Sequence, residues 1–247
     1  MTAKQGKDRS ASREHKATAV LQALLAAYDE LCKDRQIACE AGCAACCSDR
    51  VLLTGLEGKL LLQALTGVGR EDLIARAIAK PVKAAERPQS TFNALARLCL
   101  AQEEPPGPEP AVGPAGACPL LENGLCAAYE ARPLACRSMA SRERCQSGGQ
   151  AVEDPFWVSL NSAFFQLVEQ CSLGLGGFGL LPQVLAALQG DEEAEKGLLI
   201  CEPLPGLVVP PEDQAQVQEA LRPVFNRLLQ GRPLGIWLDE LRRAAGF

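Results

Sequence analysis

The sequence predicts a mainly α-helical protein, its helices packed around an irregular, cysteine-rich, metal-pinned centre with little β structure. Three observations carry this expectation. Apolar residues recur at helical spacing through most of the chain. Val and Ile are few and period-two alternation is scarce, which argues against a large sheet. Eight of the twelve cysteines fall in two short stretches, CEAGCAACC (39–47) and CPLLENGLCAAYEARPLACRSMASRERC (118–145), about seventy residues apart.

The elements follow in order. Residues 1–15 are polar and mixed in charge and read as a disordered tail. With no apolar core they do not form a secretory signal. Over 16–35, Val20, Leu21, Leu24, Leu25, Tyr28 and Leu31 stand at helical spacing and predict an amphipathic helix. The first cysteine block then forms a tight loop. Thr54 and Glu57 make a capping box for a helix over 54–66. Further helices are expected over 70–79 and 88–103, with Pro81 and Pro88 marking breaks. Residues 103–117 hold five prolines and three glycines and read as a linker or surface loop. Glu122-Asn123-Gly124 reads as a turn between short extended pieces, and the segment around Tyr129 as a helical turn stopped by Pro133. Beyond it, helices are expected over 155–172, 181–189, 212–230 and 234–245, with Pro203, Pro205, Pro210 and Pro211 separating the middle pair. The implied organisation is a tail (1–15), a cysteine-cluster metal-binding domain (16–150, with the 103–117 linker inside it) and a helical C-terminal region (151–247) packed on it.

Composition narrows the function classes. A net charge of −5 and only 4% aromatic residues argue against nucleic acid as a partner. No apolar run approaches the length of a bilayer span. The expected location is the cytoplasm, where thiols stay reduced and cysteines serve metal or redox roles more than disulfides. The single histidine, His15, sits in the polar tail. Its isolation excludes Cys₂His₂ fingers, two-histidine iron sites, Ser-His-Asp triads and Cys-His nucleophile pairs.

What remains is a sulfur site. Cys46 and Cys47 are adjacent, a spacing that makes a strained disulfide but suits metal ligands. The candidate ligands are Cys39, Cys43, Cys46, Cys47, Cys118, Cys126, Cys136 and Cys145. Thiolate-only coordination selects zinc, iron or an iron–sulfur cluster, or Cu(I), and spacing alone leaves zinc against iron–sulfur open. The plainer reading of these cysteines is a set of buried small hydrophobes or a disulfide framework. Cys32, Cys99, Cys171 and Cys201, without local partners, fit the buried reading. The arginines of 137–144 read as compensation for bunched thiolates, or as a solvated loop. Gly174–Gly179 (GLGGFG) matches a nucleotide-loop pattern, but what precedes it looks helical, so a glycine-rich connection is the stronger reading. No catalytic residue and no acid/base pair is evident.

The cysteine pattern resembles the CxxCxxCC family of zinc- or iron-chelating domains. The matching residues run over roughly 39–145, and Cys126, Tyr129, Arg132, Pro133, Cys136 and Arg137 form the more specific half. One departure is that three residues separate Cys39 from Cys43, where the family name implies two. The resemblance implies a metal-binding protein with zinc or iron, or an iron–sulfur cluster, as cofactor. Its enzymatic relatives include a flagellin lysine N-methylase, which raises an alternative: an iron–sulfur-dependent protein-modifying methylase or redox enzyme. A zinc-stapled interaction module is the third reading.

Overall fold

The first helix, α1 (Ala3–Leu31), is already formed where the sequence suggested a disordered tail. Lys, Gln, Arg and Glu are good helix formers, and tertiary contacts anchor the stretch at Arg13 and Glu14. The Arg13 guanidinium donates to the Leu173 carbonyl, and Lys59 Nζ pairs with Glu14 at 2.6 Å. The computed structural model describes residues 3–40, 42–105, 115–145 and 151–247. Most of the 103–117 linker therefore lies outside the described residues.

After a 3₁₀ turn (Cys32–Asp34) and the first cysteine loop come β1 (Leu52–Thr54) and α2 (Gly55–Gly67). The expected capping box starts α2: Glu57 N donates to Thr54 Oγ1 at 3.3 Å and Thr54 N to Glu57 Oε2 at 2.9 Å. Next are α3 (Glu71–Ile78) and α4 (Phe92–Ala101), the latter starting later than Pro88 suggested because Thr91 is its cap. The hairpin β2 (Leu121–Glu122) and β3 (Leu125–Cys126) turns through Asn123 (φ 51°) and Gly124 (φ 80°), the left-handed pair that a two-residue hairpin requires. Pro133 then leads into α5 (Leu134–Ser138).

The C-terminal part begins with α6 (Pro155–Cys171), capped by Asp154, followed by β4 (Gly177–Leu180) and α7 (Leu181–Leu188). A short α8 (Glu192–Lys196) and β5 (Leu199–Ile200) follow; neither has enough apolar periodicity to be seen in the sequence. The chain closes with α9 (Gln214–Asn226), the hairpin β6 (Leu228–Leu229) and β7 (Arg232–Pro233), and α10 (Leu234–Ala244). That hairpin takes the residues expected to extend α9 to 230.

The fold is mainly helical with little strand. Its largest sheet has three strands in the order β1-β4-β5, all antiparallel. The glycine-rich GLGGFG stretch joins α6 to β4, so it follows a helix and is a connection. It needs its glycines for close approach: a Cβ on Gly55 would stand 2.8 Å from Gly176 Cα, and Gly176 has φ 126°.

The main core packs α1 against α6, α9 and α10. Val20, Leu21, Leu24 and Tyr28 meet Leu160, Phe164, Leu167, Leu221 and Leu238. Tyr28 and Phe164 are fully buried, and Tyr28 donates to Asn161 Oδ1 at 2.6 Å. A second core, of Leu53, Leu61, Leu65, Leu73, Ile74, Val184 and Leu185, lies directly under the second cysteine block and includes Leu120 and Ala128. Each large aliphatic side chain so buried contributes about 1.5–3 kcal/mol. Among the described residues no helix is long and apolar enough to cross a membrane.

Candidate metal centre

The two cysteine blocks are zipped together by backbone. Cys118 N donates to the Cys47 carbonyl at 3.2 Å, Ser48 and Ala117 form an antiparallel bridge, and Asp49 N donates to the Gly116 carbonyl at 3.0 Å. Asp49 locks this junction with its side chain, accepting from Gly116 N at 2.9 Å and from Lys80 Nζ at 3.0 Å. Lys80 also donates to the Ala117 carbonyl at 2.7 Å, and Arg76 Nε to the Pro119 carbonyl at 2.6 Å. Loop carbonyls that a helix or sheet would have satisfied are thus taken up by cations from α3 and its following loop.

Cys126 pairs with Leu121 across the hairpin, and Cys136 rides on α5. The start of α5 is fixed from α2, which follows the first block. Glu57 is buried; its Oε2 completes the α2 cap, and its Oε1 accepts from Leu134 N at 2.8 Å. Burial raises the Glu57 carboxyl above its ordinary range, against the pull of these donors. Arg137 closes the same turn from outside. Its guanidinium donates to the Arg132 carbonyl at 2.7 Å and the Glu130 carbonyl at 2.6 Å and pairs with Asp29, and its side chain is only 7% exposed. Arg132 lies over the Tyr129 ring at 3.5 Å and donates to the Tyr129 carbonyl. Both arginines buttress the loop, as bidentate donors suit such carbonyl clusters.

The thiols of this region act on one another. Burial, then the charges of Cys118 and Cys126, pushes Cys136 up to about 12, and burial raises Cys118. The adjacent Cys46 thiol, then burial, raises Cys47, with Cys118 and Cys136 adding to the effect. Its neighbour Cys47 in turn lowers Cys46 to about 6, and Arg132 helps. Cys43 and Cys46 are exposed; Cys47, Cys118, Cys126 and Cys136 are half-buried.

Cys39 and Cys145 belong to a separate strap. Cys39 Sγ accepts from Ser141 N at 3.4 Å, Ala38 N donates to the Ser141 carbonyl at 2.8 Å, and Arg144 pairs with Glu40. Arg35, just before the strap, lies 4.6 Å from the Trp157 ring centre and pairs with Glu153 at 3.8 Å. Cys171 and Cys201 are buried in helical and strand-end contexts, as expected of small hydrophobes, while Cys99 is exposed.

One sequence expectation needs correction. Among the described residues, no three His, Cys, Asp or Glu side chains stand together at metal-ligand spacing. The blocks meet through backbone hydrogen bonds and an arginine and carboxylate frame, and no pinned sulfur shell is present. The donor chemistry nevertheless suits a soft cation: thiols of both blocks lie near enough to hold one another protonated, and a bound soft cation would take their protons' place.

The family CxxCxxCC, described as "Putative zinc- or iron-chelating domain", matches residues 38–155. The match is to this segment alone. It covers just under half the chain and contains the whole zipped junction, both arginines and Glu57; α6 to α10 lie beyond it. No curated protein and no solved structure matches the chain.

The frame residues Glu57, Asp49, Lys80 and Arg76 were not singled out as site residues in the sequence. Only Glu57 carried a signal, its capping box, and that signal named one of its two oxygens.

Proposed function

We propose that this CxxCxxCC domain holds zinc or iron, the latter alone or as an iron–sulfur cluster, on cysteine thiolates drawn from both blocks. The observation that carries this reading is the hydrogen bond from Cys118 N to the Cys47 carbonyl, which joins blocks about seventy residues apart at two candidate ligands. Cys47, Cys118, Cys126 and Cys136 would form the inner donors, with Cys46 and Cys43 at the exposed rim. Cys39 and Cys145, on the strap, would be the outer pair. Eight thiolates exceed one tetrahedral ion, so the set suits one cluster with spare cysteines or two four-coordinate ions. When bound, the metal supplies a cross-link between segments that lack a core of their own and, if iron, a one-electron couple. The residues around it set its surroundings: Arg132 and Arg137 hold the loop and compensate charge, and Glu57 fixes the helix that presents Cys136. Reduced thiols are favoured in a reducing compartment, which supports a cytoplasmic location as part of this reading.

The test is metal per chain after purification without oxygen, for the native sequence and four variants. Cys46→Ser and Cys136→Ser should lower bound metal, since a hydroxyl is a poor soft-metal ligand. Cys171→Ser and Cys201→Ser should leave it unchanged. If Cys171→Ser empties the protein as fully as Cys136→Ser, the two-block reading is wrong.

A further inference from the structure

A groove of about 750 Å³ runs between α1, α2 and the turn that follows β3, with Leu25, Leu60 and Ala64 among its apolar walls. It opens where the two cores part: α1 packs into the main core, while Leu61 and Leu65 of α2 turn to the second. The rim of the groove stays in water. Val68 is 67% exposed and Tyr129 55%, and both line it. Contiguous exposed apolar surface rimmed by charge marks interaction sites, whereas scattered apolar residues need no partner. A small ligand sunk between the walls would leave these rim side chains wet, so the occupant that covers them is macromolecular.

Charge at the groove is one-sided. Two clusters border it, and each sets two carboxylates against one arginine. Asp29 and Glu130 line the groove with Arg137, whose guanidinium is taken up by Asp29 and two carbonyls. Glu130 is exposed and enters no ion pair among the described residues. Two residues past Val68, Arg70 is shared between Asp72 at 2.9 Å and Glu122 at 2.5 Å. Arg132 lies over the Tyr129 ring but outside the groove's lining, and its charge acts on Cys46 and Cys136. A partner that complements this surface is apolar along one stripe and basic beside it. The long walls of the groove are helices, and the neighbouring β3 has two residues, too few to template an added strand. Among the ways proteins take up a peptide, an amphipathic helix laid in an apolar groove suits these walls.

We propose that this groove docks an amphipathic helix of a partner protein. Its apolar stripe lies on Leu25, Leu60, Ala64 and the Val68–Tyr129 rim, and lysines or arginines beside the stripe face Glu130 and the Glu122–Asp72 pair. Cys126 also lines the groove, so the partner rests against the second cysteine block.

The experiment is fluorescence anisotropy with the full chain, purified without oxygen, and labelled peptides of about eighteen residues, long enough to be helical. The first is a helix former with a Leu and Ala stripe flanked by Lys. In the second, Glu replaces each Lys. The third is the basic peptide broken by two central prolines. The basic helix should bind with Kd below about 100 μM, and the other two roughly tenfold more weakly or worse. Val68→Asp should weaken it roughly tenfold or more, and Glu130→Lys should turn the preference toward the acidic helix. Both positions are exposed, so both variants should fold, which thermal unfolding verifies; the native chain's order of preference tests the proposal without them. Metal per chain should stay at the native level in both, which separates loss of docking from loss of the metal centre. The proposal is overturned if no peptide binds, or if the acidic or proline-broken peptide binds the native chain as tightly as the basic helix. It is also overturned if both variants bind as the native chain does, or if sedimentation shows a dimer that Val68→Asp dissolves, since a second copy then covers the groove.

Discussion

Glu57 is where the first cysteine block's flank holds the second, and its removal has a calculable cost. Its carboxylate accepts from Thr54 N at 2.9 Å, Thr54 Oγ1 at 3.0 Å and Leu134 N at 2.8 Å. Thr54 is 2% exposed and Leu134 fully buried, so water cannot replace these bonds cheaply. Glu57→Ala leaves two backbone N–H groups orphaned, at about 1–3 kcal/mol each. Relief from burying a carboxyl offsets part of this, giving an expected net loss of about 3 kcal/mol. Glu57→Gln keeps one carbonyl acceptor but points an N–H₂ at a donor, and should cost about 1–2 kcal/mol. Urea unfolding followed by circular dichroism measures both. Hydrogen exchange should also rise over residues 130–138 more than over α10 in Glu57→Ala. A loss below about 0.5 kcal/mol in Glu57→Ala, or a larger loss in Glu57→Gln than in Glu57→Ala, would refute the reasoning.

Three further outcomes are expected. Arg137→Ala should cost about 1–3 kcal/mol and reduce retained metal, because three groups lose one buried partner. Arg243→Ala, which removes only a surface pair with Asp239, should change neither, and equal effects in the two variants would show that Arg137 is ordinary surface charge. Gly55→Ala should destabilise by about 1–3 kcal/mol, since its Cβ meets only backbone of Gly176 and Gly177, while Gly67→Ala in the same helix meets nothing and should be neutral or slightly stabilising. Glu169 is pushed above its ordinary value of 4.5 by burial, against the donors Asn93 N and Glu202 N. The folded state therefore holds this proton more tightly than the unfolded one. Its contribution to stability is fully present below the unfolded value and falls as pH rises through the folded one. Glu169→Gln should flatten that fall in denaturation midpoints measured across mildly acidic pH, and an unchanged slope would show that Glu169 titrates normally.

The helices were legible wherever an apolar stripe met a cap. Val20, Leu21, Leu24, Leu25 and Tyr28 in α1 are all buried, and the Thr54–Glu57 box starts α2 as its spacing required. The Asn123–Gly124 turn was legible for the same reason: only residues tolerant of positive φ fit it. What stayed hidden depends on partners distant in sequence. In the polar part of α1, Arg13 and Glu14 are tied to the Leu173 carbonyl and to Lys59, partners that cannot be seen from residues 3–15. Strands β1, β4 and β5 are too short for period two to register. Within the site, the cysteines announced themselves by spacing, and the roles of Arg132 and Arg137 by their place among them. Asp49, Lys80 and Arg76 could not be found so, because an isolated charge in sequence says nothing of the carbonyl it will meet. The spacing also suggested a closed sulfur shell, which the described residues do not form. Sequence spacing establishes which thiols can reach one another; it does not set their side-chain torsions.

The central claim is that sulfur alone from both blocks holds the metal. X-ray absorption at the zinc and iron edges, on protein purified without oxygen, tests it most directly. The account predicts a first shell of sulfur only, at about 2.3 Å for zinc, that loses sulfur scattering in both Cys47→Ser and Cys136→Ser. A first shell of nitrogen or oxygen at about 2.0–2.1 Å, or a sulfur shell unchanged by either substitution, would contradict it.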